Sequence, residues 1–382
     1  MRRAVAFAVA LAVTSVLLLG GCSDDSEPGE AVVIDDSTTT TSEPGNAEEP
    51  NDPSPGPPPT PQQDGAVAEG LTSPWGLAFL PDGSALVSER DTGLIKRVDE
   101  GGSVRTVGEV PGVDFASSEG GLLGLAVGPP GTDGPYVYAY FSTATDNRVV
   151  RFPYRNGSLG QPEVVIDGIP VSTFHNGGRV EFGPDEMLYV STGDATEEAN
   201  AVDPDSLGGK ILRLTPTGEP APGNPTEGSP VLSLGHRNVQ GLAWDDDDRL
   251  WASEFGQDTW DELNLIDPGE NYGWPRYEGR ASVSGFVDPK VQWRPEDASP
   301  SGIAYADGSI WMAALGGGRL WRIPVADGRV SEQPEAFFVR ELGRLRTVVV
   351  APDDSLWLMT SNTDGRGEPR SGDDQIIRLS LE

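Results

Sequence analysis

Two residues that could act as a base and its partner lie one predicted hairpin apart. His175, one of two histidines in the chain, stands on the glycine-rich approach Thr173-Phe-His-Asn-Gly-Gly-Arg179 to an apolar segment. A neutral imidazole is the usual general base near neutral pH. Asp194 lies in a turn rich in serine, threonine and glycine and would orient that imidazole. The pair predicts a catalytic base, and the alternatives are a loop histidine bonded to backbone and a turn-forming aspartate.

Two arginine-containing segments predict an anion site. Arg237 and Asn238 follow Gly235 in a turn, and a guanidinium beside an amide suits a planar anionic or quinonoid oxygen. Arg344 and Arg346 are two residues apart on an extended segment, so their side chains point to the same side. The chain carries a net charge of −33. Convergent arginines in such an acidic chain predict an anionic ligand, with salt bridges within a strand as the alternative.

A carboxylate-rich turn spans residues 254–262 and reads Glu-Phe-Gly-Gln-Asp-Thr-Trp-Asp-Glu. Hard cations such as Ca²⁺ bind carboxylate and carbonyl oxygens in turns of this kind, although the spacing is not that of an EF-hand. A metal site and a solvated acidic turn both fit this stretch. GxSxG and HExxH motifs are absent, and the single cysteine excludes an internal disulfide.

A repeated pattern of strands and tight turns must position these residues. In its first copy, Trp75-Gly-Leu-Ala-Phe79 is followed by Pro81-Asp-Gly83 and then Ala85-Leu-Val-Ser88, a strong hairpin signal. Six copies follow one another at intervals of roughly 45 to 62 residues, a spacing typical of propeller blades. We therefore predict an all-β, six-bladed β-propeller over residues 66–382, with five or seven blades as the alternative. The run from Val67 to Leu71 would supply the strand that closes the ring.

The N-terminal part of the chain has the composition of a targeting and tethering segment. Two arginines precede an apolar run from Ala4 to Leu19, and the only cysteine, Cys22, follows at the position of a lipobox. This predicts a lipoprotein signal peptide over residues 1–21, with an ordinary cleaved signal peptide as the alternative. The proline-, threonine- and acid-rich residues 22–65 predict a disordered linker. We expect an extracytoplasmic protein, lipid-anchored through Cys22 to the outer face of a bacterial membrane, and the acidic charge argues against nucleic acid as a partner.

The motifs taken together resemble the soluble glucose and aldose sugar dehydrogenases that use pyrroloquinoline quinone (PQQ). The resemblance covers about residues 70 to 382 and rests on six segments that occur in order. They are Pro74-Trp-Gly-Leu-Ala-Phe79, Glu119-Gly-Gly-Leu-Leu-Gly-Leu-Ala126, His175-Asn-Gly-Gly-Arg179, Gly235-His-Arg-Asn-Val-Gln-Gly-Leu-Ala-Trp244, Asp261-Glu-Leu-Asn-Leu-Ile266 and Asn271-Tyr-Gly-Trp-Pro275. Membership implies a six-bladed propeller that binds PQQ and Ca²⁺ at one face and oxidises the C1 hydroxyl of aldoses.

The resemblance also implies a role for each candidate residue. His175 would be the base with Asp194 as its acidic partner, and Arg237 would stabilise negative charge on the quinone oxygen. The implied cofactor contacts are Glu119, Arg237, Asn238, Arg344 and Arg346. The implied Ca²⁺ ligands are the carbonyls of Gly256 and Gln257 for the cofactor's ion, and Glu262 with the Tyr272 carbonyl for a second, structural ion.

Four positions depart from the pattern of the family. The chain has Glu119 in place of a glutamine, Gly316 in place of a lysine, Phe174 in place of an aspartate found in some members, and Thr347 in place of an aspartate after Arg346. We expect an aldose dehydrogenase that passes electrons from the quinone to an unidentified acceptor. The alternatives are a non-catalytic Ca²⁺-binding propeller module without the quinone and a metal-dependent, lactonase-type hydrolase.

Overall fold

Six antiparallel sheets make up the protein. The computed structural model describes residues 30–34, 58–115, 118–129 and 135–382. The sheets follow one another in chain order around a channel, each contacting the next, and the last returns to contact the first. The predicted all-β, six-bladed propeller is therefore confirmed. Within the described ranges, no helix combines the length and hydrophobicity that crossing a bilayer requires.

The strands are numbered along the chain. Two strands, β1 (Ala31–Val33) and β2 (Pro61–Ala68), precede the first sheet. That sheet consists of β3 (Pro74–Phe79), β4 (Ala85–Glu89), β5 (Leu94–Val98) and β6 (Val104–Glu109). The second sheet contains β7 (Leu122–Val127), β8 (Tyr136–Ser142), β9 (Asn147–Arg155), β10 (Ser158–Leu159) and β11 (Glu163–Ile169). The third contains β12 (Val180–Phe182), β13 (Leu188–Ser191), β14 (Lys210–Leu214) and β15 (Val231–Leu234), with the short helix α1 (Ala199–Val202) between β13 and β14.

The remaining three sheets continue in the same way. The fourth contains β16 (Val239–Trp244), β17 (Leu250–Glu254), β18 (Asp261–Ile266) and β19 (Val291–Trp293). The fifth contains β20 (Pro300–Ala306), β21 (Ser309–Ala314), β22 (Arg319–Ala326), β23 (Arg329–Val330) and β24 (Glu335–Phe337). The sixth contains β25 (Leu345–Val350), β26 (Leu356–Thr360) and β27 (Ile376–Leu381).

The strand β2 closes the ring from the N-terminal side. It pairs antiparallel with β27, with Pro61 opposite Leu381 and Ala66 opposite Ile377. The closing strand thus begins earlier than the predicted run from Val67 to Leu71. Because β2 takes the outer place in the sixth sheet, it covers an edge that would otherwise expose unpaired backbone groups.

A second N-terminal segment differs from the prediction of a disordered linker. The strand β1 pairs antiparallel with β19, with Val32 opposite Gln292, and becomes the fifth strand of the fourth sheet. Residues 58–65, also within the predicted linker, lead into β2 and form much of it. The predicted signal peptide, Cys22 and the rest of the predicted linker lie outside the described residues.

The recurring Gly-Leu-Ala motif has a packing explanation. A Cβ on Gly76 would lie 2.6 Å from the Leu125 nitrogen, and one on Gly241 would lie 2.3 Å from the Ser301 carbonyl oxygen. These glycines therefore allow the innermost strands of neighbouring sheets to approach closely around the channel.

The third and sixth sheets break this motif with Arg179 and Thr347. The Arg179 guanidinium donates to the Thr347 hydroxyl over 3.1 Å and stacks 4.5 Å from the Trp75 ring centroid. This contact joins the innermost segments of the third and sixth sheets across the channel, and Arg179 is only 2% exposed. The channel is therefore filled by side chains between its two mouths.

Hydrophobic cores lie between neighbouring sheets. Strand β17 is buried along its whole length, since both of its faces pack against other sheets. Between the fourth and fifth sheets, the rings of Trp293 and Trp321 lie 5.8 Å apart, and both residues are at most 1% exposed. Truncating such a residue to alanine typically costs about 3–5 kcal/mol. This packing makes the strands a rigid support for the loops at their ends.

Candidate active site

A histidine and an aspartate meet at one end of the channel. His175 lies in the loop before β12, and Asp194 lies in the loop after β13. The His175 Nδ1–H donates to the Asp194 Oδ1 over 2.8 Å. A carboxylate only accepts hydrogen bonds, so this contact assigns the proton to Nδ1 and leaves the Nε2 lone pair free. The arrangement can therefore remove a proton from a hydroxyl group placed against Nε2.

The Asp194 carboxylate is fixed by further donors. Its side chain is 1% exposed and also accepts from the Trp274 indole N–H and the Thr196 backbone N–H, each over 2.8 Å. Buried polar groups are stable only when their hydrogen bonds are satisfied. These bonds hold the carboxylate in one orientation, and through it the imidazole.

Glu119 holds the loop that carries the histidine. Its Oε2 accepts the His175 backbone N–H over 3.0 Å, and its own N–H donates to the Thr173 carbonyl over 3.0 Å. His175 has a φ of 59°, a left-handed conformation that a residue with a side chain seldom adopts. Strain of this kind persists where neighbouring contacts enforce it. Glu119 supplies such contacts.

An arginine-rich cavity of about 100 Å³ adjoins this loop. Four arginines line it but only two carboxylates, an excess of positive charge in a chain whose net charge is −33. The charged lining residues are Arg90, Arg344, Arg346, Arg366, Glu119 and Asp364.

Arg346 is the most deeply buried of these cations. It is 5% exposed, its Nη1 donates to the Gln240 Oε1 over 2.9 Å, and its guanidinium lies 5.6 Å from the Trp75 ring centroid. Burial lowers its pKa to about 9, and the Asp364 carboxylate at 3.7 Å opposes that shift. Among the described residues, its Nε has no hydrogen-bond partner. A buried guanidinium with an unused donor is suited to an anionic ligand.

Arg344 lies beside it and shares the same carboxylate. Its guanidinium contacts the Asp364 Oδ2 over 3.0 Å, and its backbone N–H donates to the Asn362 Oδ1 over 2.8 Å. The two arginines therefore point to the same side, as their spacing predicts. A single carboxylate lies between two cations, which leaves net positive charge for a ligand.

Arg237 and Asn238 form hydrogen bonds to the two loops that carry Asp194 and His175. The Arg237 carbonyl accepts the Asp194 backbone N–H over 2.8 Å, and the Asn238 Oδ1 accepts the Gly177 N–H over 2.9 Å. The Arg237 guanidinium lies 5.4 Å from the Trp274 ring centroid, and burial lowers its pKa. Its Nε also has no partner within the described part of the chain. Arg237 is thus a second cation with a donor available to a ligand.

The turn with Gly256 and Gln257 is shaped by one carboxylate. The Glu278 Oε1 accepts four successive backbone N–H groups, from Gln257 to Trp260, over 2.7–3.0 Å. Because the backbone N–H groups of the turn point towards Glu278, its carbonyl groups are directed away from Glu278. No hydrogen bond between described residues uses the carbonyl of Gly256 or Gln257.

Glu262 lies in a buried acidic cluster behind that turn. Burial and the neighbouring Glu254 carboxylate raise the pKa of Glu262 to about 8. Glu254 in turn accepts from the His236 Nδ1–H over 2.8 Å, so this histidine serves a structural purpose. A cavity of about 10 Å³, room for one water or ion, is lined by residues including Gly256, Glu262 and Tyr272. No group of three or more His, Cys, Asp or Glu side chains in the described ranges could hold a metal by itself, so carbonyl oxygens would have to contribute.

All of the predicted site residues lie around this end of the channel, and their catalytic and binding roles stay predictions. Gly316 lies against the Ser299 side chain near the arginine-rich cavity. Sequence reasoning missed Arg366, Trp274 and Glu278, which the structure brings into contact with predicted residues. Trp274 belongs to the motif Asn271-Tyr-Gly-Trp-Pro275. By contrast, no local pattern distinguishes Arg366 or Glu278 from other surface charges.

Comparisons with known proteins point to one family. The model of the family described as glucose / sorbosone dehydrogenase matches residues 71–377. The fold is similar to the PQQ-bound aldose sugar dehydrogenase of Streptomyces coelicolor, with 58% identity, a TM-score of 0.83, and coverage of 85% of this chain and 98% of that chain. The quinoprotein glucose dehydrogenase B of Acinetobacter calcoaceticus is 34% identical over 58% of this chain and 54% of its own length. An aldose sugar dehydrogenase of Escherichia coli is 28% identical over 77% of this chain and 89% of its own length.

Proposed function

The chain belongs to the glucose and sorbosone dehydrogenase family, and we propose that it oxidises the C1 hydroxyl of aldose sugars with PQQ as the hydride acceptor. The observation that carries the proposal is the arginine-rich cavity beside the His175–Asp194 pair. PQQ is a quinone that bears carboxylates. The solved structures that are similar to this chain include a PQQ-bound aldose sugar dehydrogenase. An acidic chain that gathers four arginines in one pocket has the charge that such an anion needs.

The residues present fit this cofactor. Arg346 and Arg237 each have a buried Nε without a partner in the described part of the chain, and unused donors of this kind are costly unless a ligand satisfies them. Arg344 and Arg346 would hold carboxylate groups by charge-assisted hydrogen bonds. Asn238 would contact PQQ from the loop that its side chain also holds in place. Bound PQQ supplies a quinone that accepts a hydride.

His175 performs the proton transfer. Its Nε2 takes the proton of the sugar C1 hydroxyl while the C1–H bond breaks as a hydride, so that C1 becomes the carbonyl carbon of a lactone. Asp194 holds the ring through Nδ1 and stabilises the imidazolium that forms. Arg237 would donate a hydrogen bond to the quinone oxygen that gains negative charge. Such stabilisation is strong in a site from which water is excluded.

We extend the proposal to Ca²⁺ as a second requirement. The carbonyls of Gly256 and Gln257 accept no hydrogen bond within the described chain, and the Glu262 carboxylate and Tyr272 border a cavity of one ion's size. Carboxylate and carbonyl oxygens are the ligands that Ca²⁺ prefers. Burial and Glu254 raise the pKa of Glu262 because they disfavour its charged form, and a bound cation would stabilise that charged form in place of a proton.

The location of the enzyme is part of the proposal. The apolar run from Ala4 to Leu19 and the following Cys22 support a lipid anchor on the outer face of a bacterial membrane. A Cys22→Ser variant should then move from the membrane fraction to the soluble fraction while it keeps its activity. Recovery of that variant in the membrane would contradict the anchor.

One experiment tests the central proposal. The full chain is loaded with PQQ and Ca²⁺, and dye reduction is followed with a panel of aldoses, the dye standing in for the natural electron acceptor. We expect aldose-dependent turnover that a His175→Ala variant loses, although the variant still binds PQQ by absorbance titration. PQQ binding without turnover of any aldose would overturn the dehydrogenase. Absence of PQQ binding would instead favour a cofactor-free Ca²⁺-binding module.

A further inference from the structure

An aromatic ring stands exposed beside the proposed base. Phe174 directly precedes His175 and is 41% exposed, whereas Trp75 and Trp274 nearby are at most 7% exposed. A single exposed apolar side chain is ordinary on a protein surface. What distinguishes Phe174 is the set of contacts that holds it in place.

Glu119 holds the backbone on both sides of Phe174, once through its own backbone and once through its carboxylate. The Glu119 N–H donates to the carbonyl of Thr173, and the Glu119 Oε2 accepts the N–H of His175, each over 3.0 Å. The residue before the ring is therefore tied to the Glu119 backbone, and the residue after it is tied to the Glu119 carboxylate. This arrangement restricts the loop so that the ring and the imidazole keep a constant relative position.

The same carboxylate also holds a cation over the ring. The Arg366 Nη1 donates to the Glu119 Oε1 over 2.8 Å, and the Arg366 guanidinium lies 5.7 Å from the Phe174 ring centroid. Arg366 comes from the loop between β26 and β27, so this contact spans the mouth from the sixth sheet to the third. The Arg366 side chain is 45% exposed, and an ion pair that exposed contributes little to stability. The ion pair instead places the ring next to Arg366 and Glu119, which both line the arginine-rich cavity.

We propose that Phe174 is the surface on which the ring of the sugar lies, and that Glu119 and Arg366 are positioning residues for it. The proposal rests on the proposed function, since it names the substrate contact of the same site. A pyranose has an apolar face of C–H groups, which an aromatic ring can cover. Arg366 lies over the Phe174 ring, and the part of this residue that stays exposed would contact the substrate. Because a phenyl ring forms no hydrogen bonds to hydroxyl groups, the site should take flat aldopyranoses as a class, D-glucose and D-xylose alike.

Steady-state kinetics of the loaded enzyme, together with sugar binding, test this inference. For Phe174→Ala we expect the KM for D-glucose and D-xylose to rise about tenfold, the loss expected for one apolar contact face. The dissociation constant of PQQ should stay unchanged. Phe174→Tyr should restore the KM, whereas Phe174→Leu should not, because leucine supplies apolar volume without a flat face. Saturation-transfer NMR of D-glucose with the protein should show a weaker signal for Phe174→Ala.

The positioning residues have their own variants. Arg366→Gln should raise the KM for both sugars less than Phe174→Ala does, and Arg366→Lys should restore it in part because the charge remains. A matched control is Tyr305→Ala, which removes a half-buried ring at the other end of the channel and should leave the KM unchanged.

The outcomes separate this inference from the function on which it rests. A wild-type enzyme that oxidises aldoses, with a Phe174→Ala variant of unaltered KM, would overturn the inference alone. Equal KM values for the leucine and tyrosine variants would do the same. If Arg366→Gln weakens PQQ binding and leaves the KM unchanged, Arg366 serves the cofactor and its positioning role is wrong. A wild-type protein that binds PQQ and oxidises no aldose would overturn both proposals.

Discussion

The two mouths of the channel are built from the same six innermost strands, yet they differ in chemistry. The charged mouth is the end with His175, Arg237 and Arg346. The apolar mouth is the opposite end, with an open cavity of about 370 Å³ whose lining includes Phe79, Phe182, Trp244, Tyr305 and Val350. The bridge from Arg179 to Thr347 closes the channel between them. One carboxylate, Glu181, lies among the apolar residues.

The difference follows from the connections at each mouth. At the apolar mouth the innermost strands turn back through tight hairpins, such as Asp307-Gly308, where both residues have a positive φ. Such turns leave no room for additional side chains. At the charged mouth the connections are longer, as in residues 170–179 and 192–209 between strands, and they carry the base and its partners. The candidate active site therefore lies in the longer loops, while the strands at both mouths stay alike.

Among substitutions at the two mouths, the largest effect is expected at Asp194 in the charged mouth. In Asp194→Asn the amide can donate to Nδ1, so the imidazole would hold its proton on Nε2, where a base needs a free lone pair. We expect kcat to fall about 10²–10⁴-fold, with PQQ binding retained. Asp353→Asn, in a turn before β26, is the matched control and should keep wild-type kcat. An Asp194→Asn enzyme with wild-type kcat would contradict the role of the pair.

The next effect concerns the cofactor. Replacing the buried guanidinium in Arg346→Gln removes a charge-assisted contact, and we expect the dissociation constant of PQQ to rise about 100-fold, or about 2–3 kcal/mol. Absorbance titration measures it, and thermal unfolding checks that the variant folds. Arg249→Gln, in the turn between β16 and β17 and outside the arginine-rich cavity, should leave PQQ affinity unchanged. Equal losses in the two variants would mean that the affinity reflects general charge and not the pocket.

Removal of Ca²⁺ should have a moderate effect. Chelation should lower the unfolding temperature by several degrees, because a ligand that binds only the folded state stabilises it by about 2.7 kcal/mol at 100 times its dissociation constant. In Glu262→Gln the added Ca²⁺ should have a smaller effect, since one anionic ligand is lost. Glu181→Gln, at the apolar mouth, should respond to Ca²⁺ as the wild type does. An unfolding temperature that does not change on chelation would contradict the metal sites.

The smallest effect is expected at the apolar mouth itself. Burial raises the pKa of Glu181 from its ordinary 4.5 to about 7, although the nearby Arg179 opposes this shift. Between these values the folded state binds more protons than the unfolded state, so stability should fall as the pH rises from about 4.5 to about 7. We expect Glu181→Gln to remove about 1 kcal/mol of this pH dependence, as Glu181 is only half-buried. Denaturant titration at several pH values measures this pH dependence of the free energy of unfolding. An altered kcat in Glu181→Gln would show that the apolar mouth affects the chemistry at the charged mouth.

Part of the site is predictable because its residues are close in sequence. The Arg344 and Arg346 spacing places both side chains on one face, and His175 and Asp194 are separated by a single hairpin, so their contact follows from local structure. The closing strand was placed too late along the chain because the register of β2 on β27 depends on a partner more than 300 residues away. The pairing of β1 with β19 could not be foreseen for the same reason.

The repeated sheets follow from local sequence, since alternating apolar residues and Asp-Gly turns act over a few neighbouring positions. Local sequence also identifies the candidate base and the arginine pair. By contrast, the contact of Glu119 with Arg366, across 247 positions, and the filling of the channel by Arg179 arise from tertiary packing. Such contacts depend on closure of the ring, which brings loops from non-adjacent sheets to one mouth. Closure is a property of the six sheets together, and no single stretch of the chain encodes it.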